Sequence, residues 1–264
     1  MPDVRLFALC AIVSLAGCPA ERPAPVRLVP PQWQDGEVSV YNISRHDSVL
    51  YQSTIQVHFS EELLGSDAGG STAVPTLELT TVVQTVNAGE YFSDSSTVVL
   101  RRDNLEPLRS YRDLETDLGS FELQAMYGPG RVSVTKQSID GTQVQQLRLP
   151  PNAYDNEMVS FLLRALPLAP ATRFSIVVVV PLDMRKVPVE VNVLGTKLIP
   201  TRLGDIMCRE TQLTLQNRQE RLWYELAEPH RLVGLYDPDR ETELRLVQYR
   251  VGTADTTAAV PAGK

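Results

Sequence analysis

Three cysteines, three histidines and a few closely spaced acids are the main groups this chain offers for chemistry. A catalytic thiol needs a positioned base and a lowered pKa. Cys208, within Asp205-Ile206-Met207-Cys208-Arg209, has no histidine near it in sequence and reads as a buried structural residue. Glu228 and His230 flank Pro229 and could form an acid–base pair only if a turn folds them together; Glu225 lies further upstream. A turn-exposed histidine with a neighbouring acid is the plainer reading. His46 sits beside Asp47 in a polar stretch, and His58 falls on the polar face of its strand. Isolated histidines lack the spacing of a metal site. Gly69-Gly70 opens no helix, so it is no phosphate cradle, and there is no Gly-x-Ser-x-Gly elbow. Catalysis, hydrolysis included, is the weakest class for this chain, and no cofactor or metal is expected.

The two remaining cysteines point elsewhere. Arg5 is a short basic opening to an apolar run from Leu6 to Leu15, interrupted by Cys10 and Ser14. The run is too short to cross a bilayer and has the length of a signal-peptide core. Leu15-Ala16-Gly17-Cys18 then resembles the lipobox of bacterial lipoproteins. The resemblance implies cleavage after residue 17, diacylglycerol on Cys18 and acylation of the new amine, since several acyl chains anchor stably where one does not. Pro19, in place of Asp, implies transit to the outer membrane, facing the periplasm. The alternative is a buried N-terminal segment. With residues 1–17 removed, Cys10 is lost and Cys18 is modified, so Cys208 is alone and no intramolecular disulfide can form.

These groups have to be positioned by a β-rich body. The 264 residues are 43% apolar, enough for a real core, and their nineteen prolines fall at the N-terminus and between apolar segments, which argues against a helix bundle. Acids outnumber bases 32 to 25, for a net charge of -7, which disfavours a nucleic-acid partner. Pro19, Pro23, Pro25, Pro30 and Pro31 mark residues 18–36 as a tether; residues 252–264, rich in Ala and Thr, read as a fraying tail. The body is thus residues 37–251.

Alternation predicts strands at Tyr51–Phe59, Leu77–Val86, Tyr91–Leu100, Arg109–Leu114, Phe121–Tyr127, Arg131–Gln137 and Val144–Leu149. Gly128-Pro129-Gly130 and Ile139-Asp140-Gly141-Thr142 supply hairpin turns. A helix is expected from about Glu157 to Leu166, capped by Asp155 or Asn156, with Met158, Phe161, Leu162, Ala165 and Leu166 as its apolar stripe. Thr172–Val180 is apolar on both faces, so the helix should lie across the sheet there. Val187–Val193, Thr211–Leu215, Glu220–Glu225, Arg231–Tyr236 and Glu243–Arg250 complete the strands, with turns at Leu194-Gly195-Thr196, Leu215-Gln216-Asn217-Arg218 and Tyr236-Asp237-Pro238-Asp239. Short connections throughout favour an antiparallel meander over βα units. The phrases around Glu106-Pro107 and Glu228-Pro229 echo each other, as a duplication or as a recurring hairpin.

Val189–Val193, the Thr201-Arg202-Leu203-Gly204-Asp205 turn, Cys208 to Leu215, Leu222-Trp223-Tyr224 and Glu228–Val233 resemble the DUF3108 family of exported bacterial proteins of unknown function, as does Arg102-Asp103-Asn104-Leu105-Glu106-Pro107. The resemblance spans about residues 36–250. It implies a mainly β fold like the lipoprotein carriers LolA and LolB: a curved antiparallel half-barrel partly covered by the short helix. One helix of ten residues covers only part of such a face, leaving a concave apolar pocket suited to an acyl chain or similar ligand. Phe161, Leu162, Val177, Val179, Val191, Trp223 and Tyr224 are the candidates to line it, against the plainer reading that each is ordinary core. The Trp223 indole N–H needs a partner, so it should lie near polar groups. The functional expectation is a membrane-anchored envelope lipoprotein that binds a lipid or other apolar ligand. The alternative is an assembly lipoprotein that binds envelope proteins through a free sheet edge.

Overall fold

In the computed structural model the alternation seen at Tyr51–Phe59 becomes a two-faced strand: Ser53, Ile55 and Val57 are buried, while Gln52, Gln56 and His58 are exposed. A side-chain period of two puts every second residue on one face of a sheet. The structure describes residues 28, 33–65, 71–86, 91–117, 119–166, 169–216 and 218–252. The signal segment 1–17, Cys18, Gly69-Gly70 and the tail from residue 253 lie outside them.

The first eight strands form a meander: β1 (Glu37–Arg45), β2 (Ser48–Gly65), β3 (Ser71–Thr85), β4 (Phe92–Arg101), β5 (Pro107–Thr116), β6 (Gly119–Gly128), β7 (Arg131–Ser138) and β8 (Gly141–Arg148). A short strand, β9 (Ala153–Asp155), leads into the helical segment. A second meander follows: β10 (Arg173–Val180), β11 (Arg185–Thr201), β12 (Gly204–Leu215), β13 (Arg218–Glu225), β14 (Leu232–Asp237) and β15 (Thr242–Val251). All join in one sheet in the order β8-β7-β6-β5-β4-β3-β2-β1-β15-β14-β13-β12-β11-β10-β9. The first and last strands therefore meet at its centre, Glu37 opposite Val251, and mid-chain strands form both edges. Every pairing is antiparallel except β9 with β10.

The sheet corrects the expected LolA/LolB half-barrel. The ladder is open: its terminal strands β8 and β9 do not pair with each other, and no concave face is left for the helix to cover. The physical reason lies in β10. Its Phe174, Ile176 and Val178 face the main core, while Val177 and Val179 pack with Leu123, Ala125, Val132 and Val134 of β6 and β7. One end of the sheet thus laps over the other, and apolar side chains fill the space that a half-barrel would leave open. Val177–Val180 needed cover on two faces and obtained it from two different partners.

The helical segment is where the sequence places it, but it is irregular: a 3-10 turn (Asn156–Met158), one α turn (Val159–Leu162) and another 3-10 turn (Leu163–Ala165). Asp155 is the cap, accepting the Glu157 N–H at 2.9 Å. All five stripe residues are buried. So is Arg164, which donates to both carboxylate oxygens of Glu37 (2.6 and 3.2 Å) and to the Pro229 carbonyl (3.2 and 3.0 Å). Its guanidinium lies over the rings of Phe161 and Trp33. Trp33, within the stretch read as tether, is itself buried against Phe161, with ring centroids 4.8 Å apart. The expected turn at Leu194-Gly195-Thr196 is instead a bulge inside β11, where the pairing with β12 shifts register between Val193 and Gly195.

Candidate functional site

The seven candidate pocket residues are not brought together. Phe161, Leu162, Val191 and Tyr224 sit in the main core. Val177 and Val179 belong to the lapped cluster, and Trp223 to a third cluster with Ile199, Cys208 and Val233. Neighbours on one strand alternate faces, so Trp223 and Tyr224 could not share a pocket. The Tyr224 hydroxyl donates to the Ser160 carbonyl at 2.7 Å, tying helix to sheet, and burial raises its pKa. Trp223 donates its indole N–H to Glu210 at 3.3 Å, which meets the need for a polar neighbour. Gly234 makes room for that ring: a Cβ there would stand 3.1 Å from Trp223 Cε3 and 3.0 Å from the Leu244 carbonyl oxygen.

Two cavities open at the seam where the sheet's ends overlap, and they adjoin at Leu149 and Pro150. The first, about 320 Å³, is a cleft with polar walls including Asn104, Glu106, Tyr127, Asn152 and Tyr154. The second, about 380 Å³, is a slot walled by Leu149, Pro150, Val177 and Pro188, with Arg148 and Lys186 at its rim. Both are at the small end of the range for ligand pockets, about 300–1,000 Å³. Of the seven candidates only Val177 lines either one.

Behind the cleft lies a group of carboxylates that sequence reasoning read only as a helix cap. Asp155 is fully buried and accepts the hydroxyls of Ser110 and Tyr127, both at 2.6 Å on Oδ2, while Oδ1 takes the Glu157 N–H. Arg112 clamps Asp94 through two bonds, 2.9 and 2.6 Å, and reaches Glu157 at 3.1 Å. Burial holds the carboxyls of Asp155 and Glu157 above their usual range, against the opposing pull of hydrogen bonds to Asp155 and of the Arg112 charge on Glu157. Burial, with the Asp155 charge next, also raises the Tyr127 hydroxyl. Both Asp155 oxygens are occupied by protein donors, so the group binds β5 and β6 to β9 rather than presenting a free base. The signal for it was the clustering of Asp155, Asn156 and Glu157, which periodicity weighed only as capping.

The histidines each stand beside one acid: His46 and Glu241 at 3.1 Å, His58 and Asp35 at 3.1 Å, His230 and Glu228 at 3.3 Å. The turn after β13 does fold Glu228 and His230 together, and His230 Nδ1 lies 3.1 Å from the Glu225 carbonyl. Among the described residues no group of three His, Cys, Asp or Glu is arranged to hold a metal ion. Cys208 is buried, and burial pushes its thiol up to about 12, the reverse of nucleophile activation.

A single large antiparallel sheet, lapped on itself and cavitied only at its seam among the described residues, defines a β-sheet protein with no assembled catalytic centre in its described part. The chain belongs to the DUF3108 family, whose function is unknown; residues 45–235 match the family model. It is similar in fold to a β-barrel-like protein of the DUF1849 domain of unknown function from Brucella abortus, with a TM-score of 0.53 and 11% identity over 86% of this chain and 99% of that one. Two looser likenesses each cover 86% of this chain and 100% of the other. One is a provisionally named exported protein with a YmcC-like fold from Bacteroides fragilis (TM-score 0.35, 10% identity). The other is a provisionally named lipoprotein from Parabacteroides distasonis (TM-score 0.37, 11% identity). No curated protein matches the chain.

Proposed function

We propose that this protein is an envelope lipoprotein, held by a lipidated Cys18 at the periplasmic face of the outer membrane, whose body binds an apolar ligand at the seam of its sheet. The observation that carries the ligand half is the slot at Val177: apolar walls, a cationic rim and a volume of about 380 Å³, beside an interior otherwise filled by the protein's own side chains. The anchor half rests on Leu15-Ala16-Gly17-Cys18. The test uses the full chain expressed in a bacterium. The mass of the mature N-terminal peptide should show acyl groups on Cys18, and C18S should abolish them. An apolar fluorescent probe should bind the body, and Pro188→Glu, an exposed slot residue, should weaken it by about tenfold, the scale of one lost apolar contact plus a buried charge. Equal binding by the parent and Pro188→Glu would remove the slot from the reading.

A second reading, assembly through a sheet edge, is favoured by β8. Its outer edge is unpaired, residues 141–147 carry no charge or proline, and Val144 is exposed. Such an edge can accept an added strand. A photocrosslinker at Val144 should then capture one defined envelope protein, and Gln145→Pro should prevent it.

A further inference from the structure

Two hairpins outrun their neighbours at one end of the sheet. Glu37, the first residue of β1, pairs with Val57, so β2 runs on alone with β3 from His58 to Gly65. Glu225, the last residue of β13, pairs with Cys208, and Arg173, the first of β10, pairs with Asn192. The tip of the β11–β12 hairpin therefore projects beyond both flanking strands. From Cys208 to Leu203 it extends about 17 Å at roughly 3.4 Å per residue.

That end of the molecule is also where the body joins the segment leading back to Cys18. Antiparallel order brings the start of β1, the end of β15, the connection after β13 and the β11–β12 tip to the same side. Contacts link them directly. Arg164 joins Glu37 to the Pro229 carbonyl, the Leu226 N–H donates to the Met207 carbonyl at 3.0 Å, and Met207 pairs opposite Leu198. Leu28 already packs against the core, so the chain from Cys18 to Leu28 spans at most about 35 Å at roughly 3.5 Å per residue. A leash that short keeps this end close to whatever holds Cys18.

The tip has the surface chemistry of a lipid contact. Ile199 and Cys208 turn inward onto Trp223 and Val233, which leaves Leu198 and Met207 on the opposite face, 51% and 47% exposed. Leu203 at the turn and Leu226 beside it are exposed too. Lys197, Arg202 and Arg209 stand among them against the single acid Asp205, a basic patch on a chain of net charge -7. The β2–β3 hairpin differs, carrying Glu61 and Glu62 near its exposed Leu63. Apolar side chains ringed by bases, close to a bilayer, insert among acyl chains while the bases meet anionic headgroups.

We propose that the tip of the β11–β12 hairpin, with Leu226, is a membrane-contact surface that seats the body on an anionic bilayer. This rests on the reading that Cys18 carries the anchor, but it is separately testable. The full chain is placed on vesicles of phosphatidylcholine and phosphatidylglycerol containing brominated lipid, as the parent, Leu203→Trp or Ile139→Trp. Ile139, 97% exposed, lies in the β7–β8 turn at the far end of the sheet. The Leu203→Trp emission should fall by roughly half, as expected for an indole in the interface, and the Ile139→Trp emission should not change. Adding Lys197→Glu and Arg202→Glu should restore most of the lost emission. Equal quenching at both positions, or quenching indifferent to the two charge reversals, overturns the proposal. So does an unquenched tip whose photocrosslinker at position 203 captures an envelope protein in cells, which assigns the face to a protein partner. The mass of Cys18 reads the anchor independently: a quenched tip on an unlipidated chain keeps the surface and removes the anchor, and an unquenched tip on a lipidated chain does the reverse.

Discussion

Replacing Arg164 by Met removes a buried cation and leaves Glu37, 1% exposed, without its partner. The substitution deletes two charge-assisted bonds to the carboxylate and two to the Pro229 carbonyl, while Met keeps most of the apolar stem against Phe161 and Trp33. Breaking a buried ion pair from one side costs about 3–5 kcal/mol, most of it from the stranded charge. For a body of this size each kcal/mol moves Tm by about 2–4 °C, so a fall of roughly 6–20 °C is expected. Urea titration followed by tryptophan emission checks it, because the guanidinium lies over the Trp33 ring. The double variant R164M/E37L removes both charges and should be more stable than R164M alone, recovering part of the loss; the unpaired Pro229 carbonyl prevents full recovery. A loss below about 1 kcal/mol for R164M, or a double variant with simply additive losses, would refute the account of a charge left stranded in the core.

Stability should also depend on pH through Asp155 and Glu157. Burial raises both carboxyls, so the folded state binds their protons more tightly than the unfolded chain; their contribution rises as pH falls through the raised values and is complete below the unfolded ones, near 4. Asp155→Asn should flatten that slope in chemical denaturation at pH 4.5 to 7.5, and an unchanged slope would exclude Asp155 as its source. Gly234→Ala should cost about 1–3 kcal/mol and shift the emission of Trp223, since the new methyl meets ring and backbone at 3.1 and 3.0 Å; a neutral result would mean that β14 yields freely there. The Cys208 thiol should resist a disulfide reagent in the native body and react on unfolding in urea, whereas rapid native labelling would contradict its burial.

The strands were legible because a sheet with one buried face writes its period into the chain. Thirteen expected segments, from Tyr51–Phe59 to Glu243–Arg250, fall on β2 to β8 and β10 to β15. β1 was missed: its buried positions include Glu37 and Ser39, so polar residues stand where alternation looks for apolar ones. The lap of β6 and β7 onto β10 was half visible, since Val177–Val180 announced burial on both faces, but which element supplies the second cover is set by long-range packing that no local pattern carries. The candidate site suffered most. Apolar residues on curved and lapped sheets look alike in sequence, so Phe161, Val191 and Tyr224 were as eligible for a pocket as Val177. The buried Arg164 was invisible because its partners, Glu37 and Pro229, are 127 and 65 residues away.

The central pairing of β1 with β15 also bears on when the body can form. Each meander is built from neighbours in sequence and can begin to pair as it appears, but the two are joined across the sheet only when the final strand reaches the first. That closure spans the whole body, the most non-local contact in it, and so comes late and slowly. During synthesis or translocation the chain stays two unfinished half-sheets, each with an open edge, until Val251 is delivered. A chain that must be threaded through a membrane is thereby held back from premature folding, and the same interval is when its exposed edges are most open to aggregation or to a chaperone.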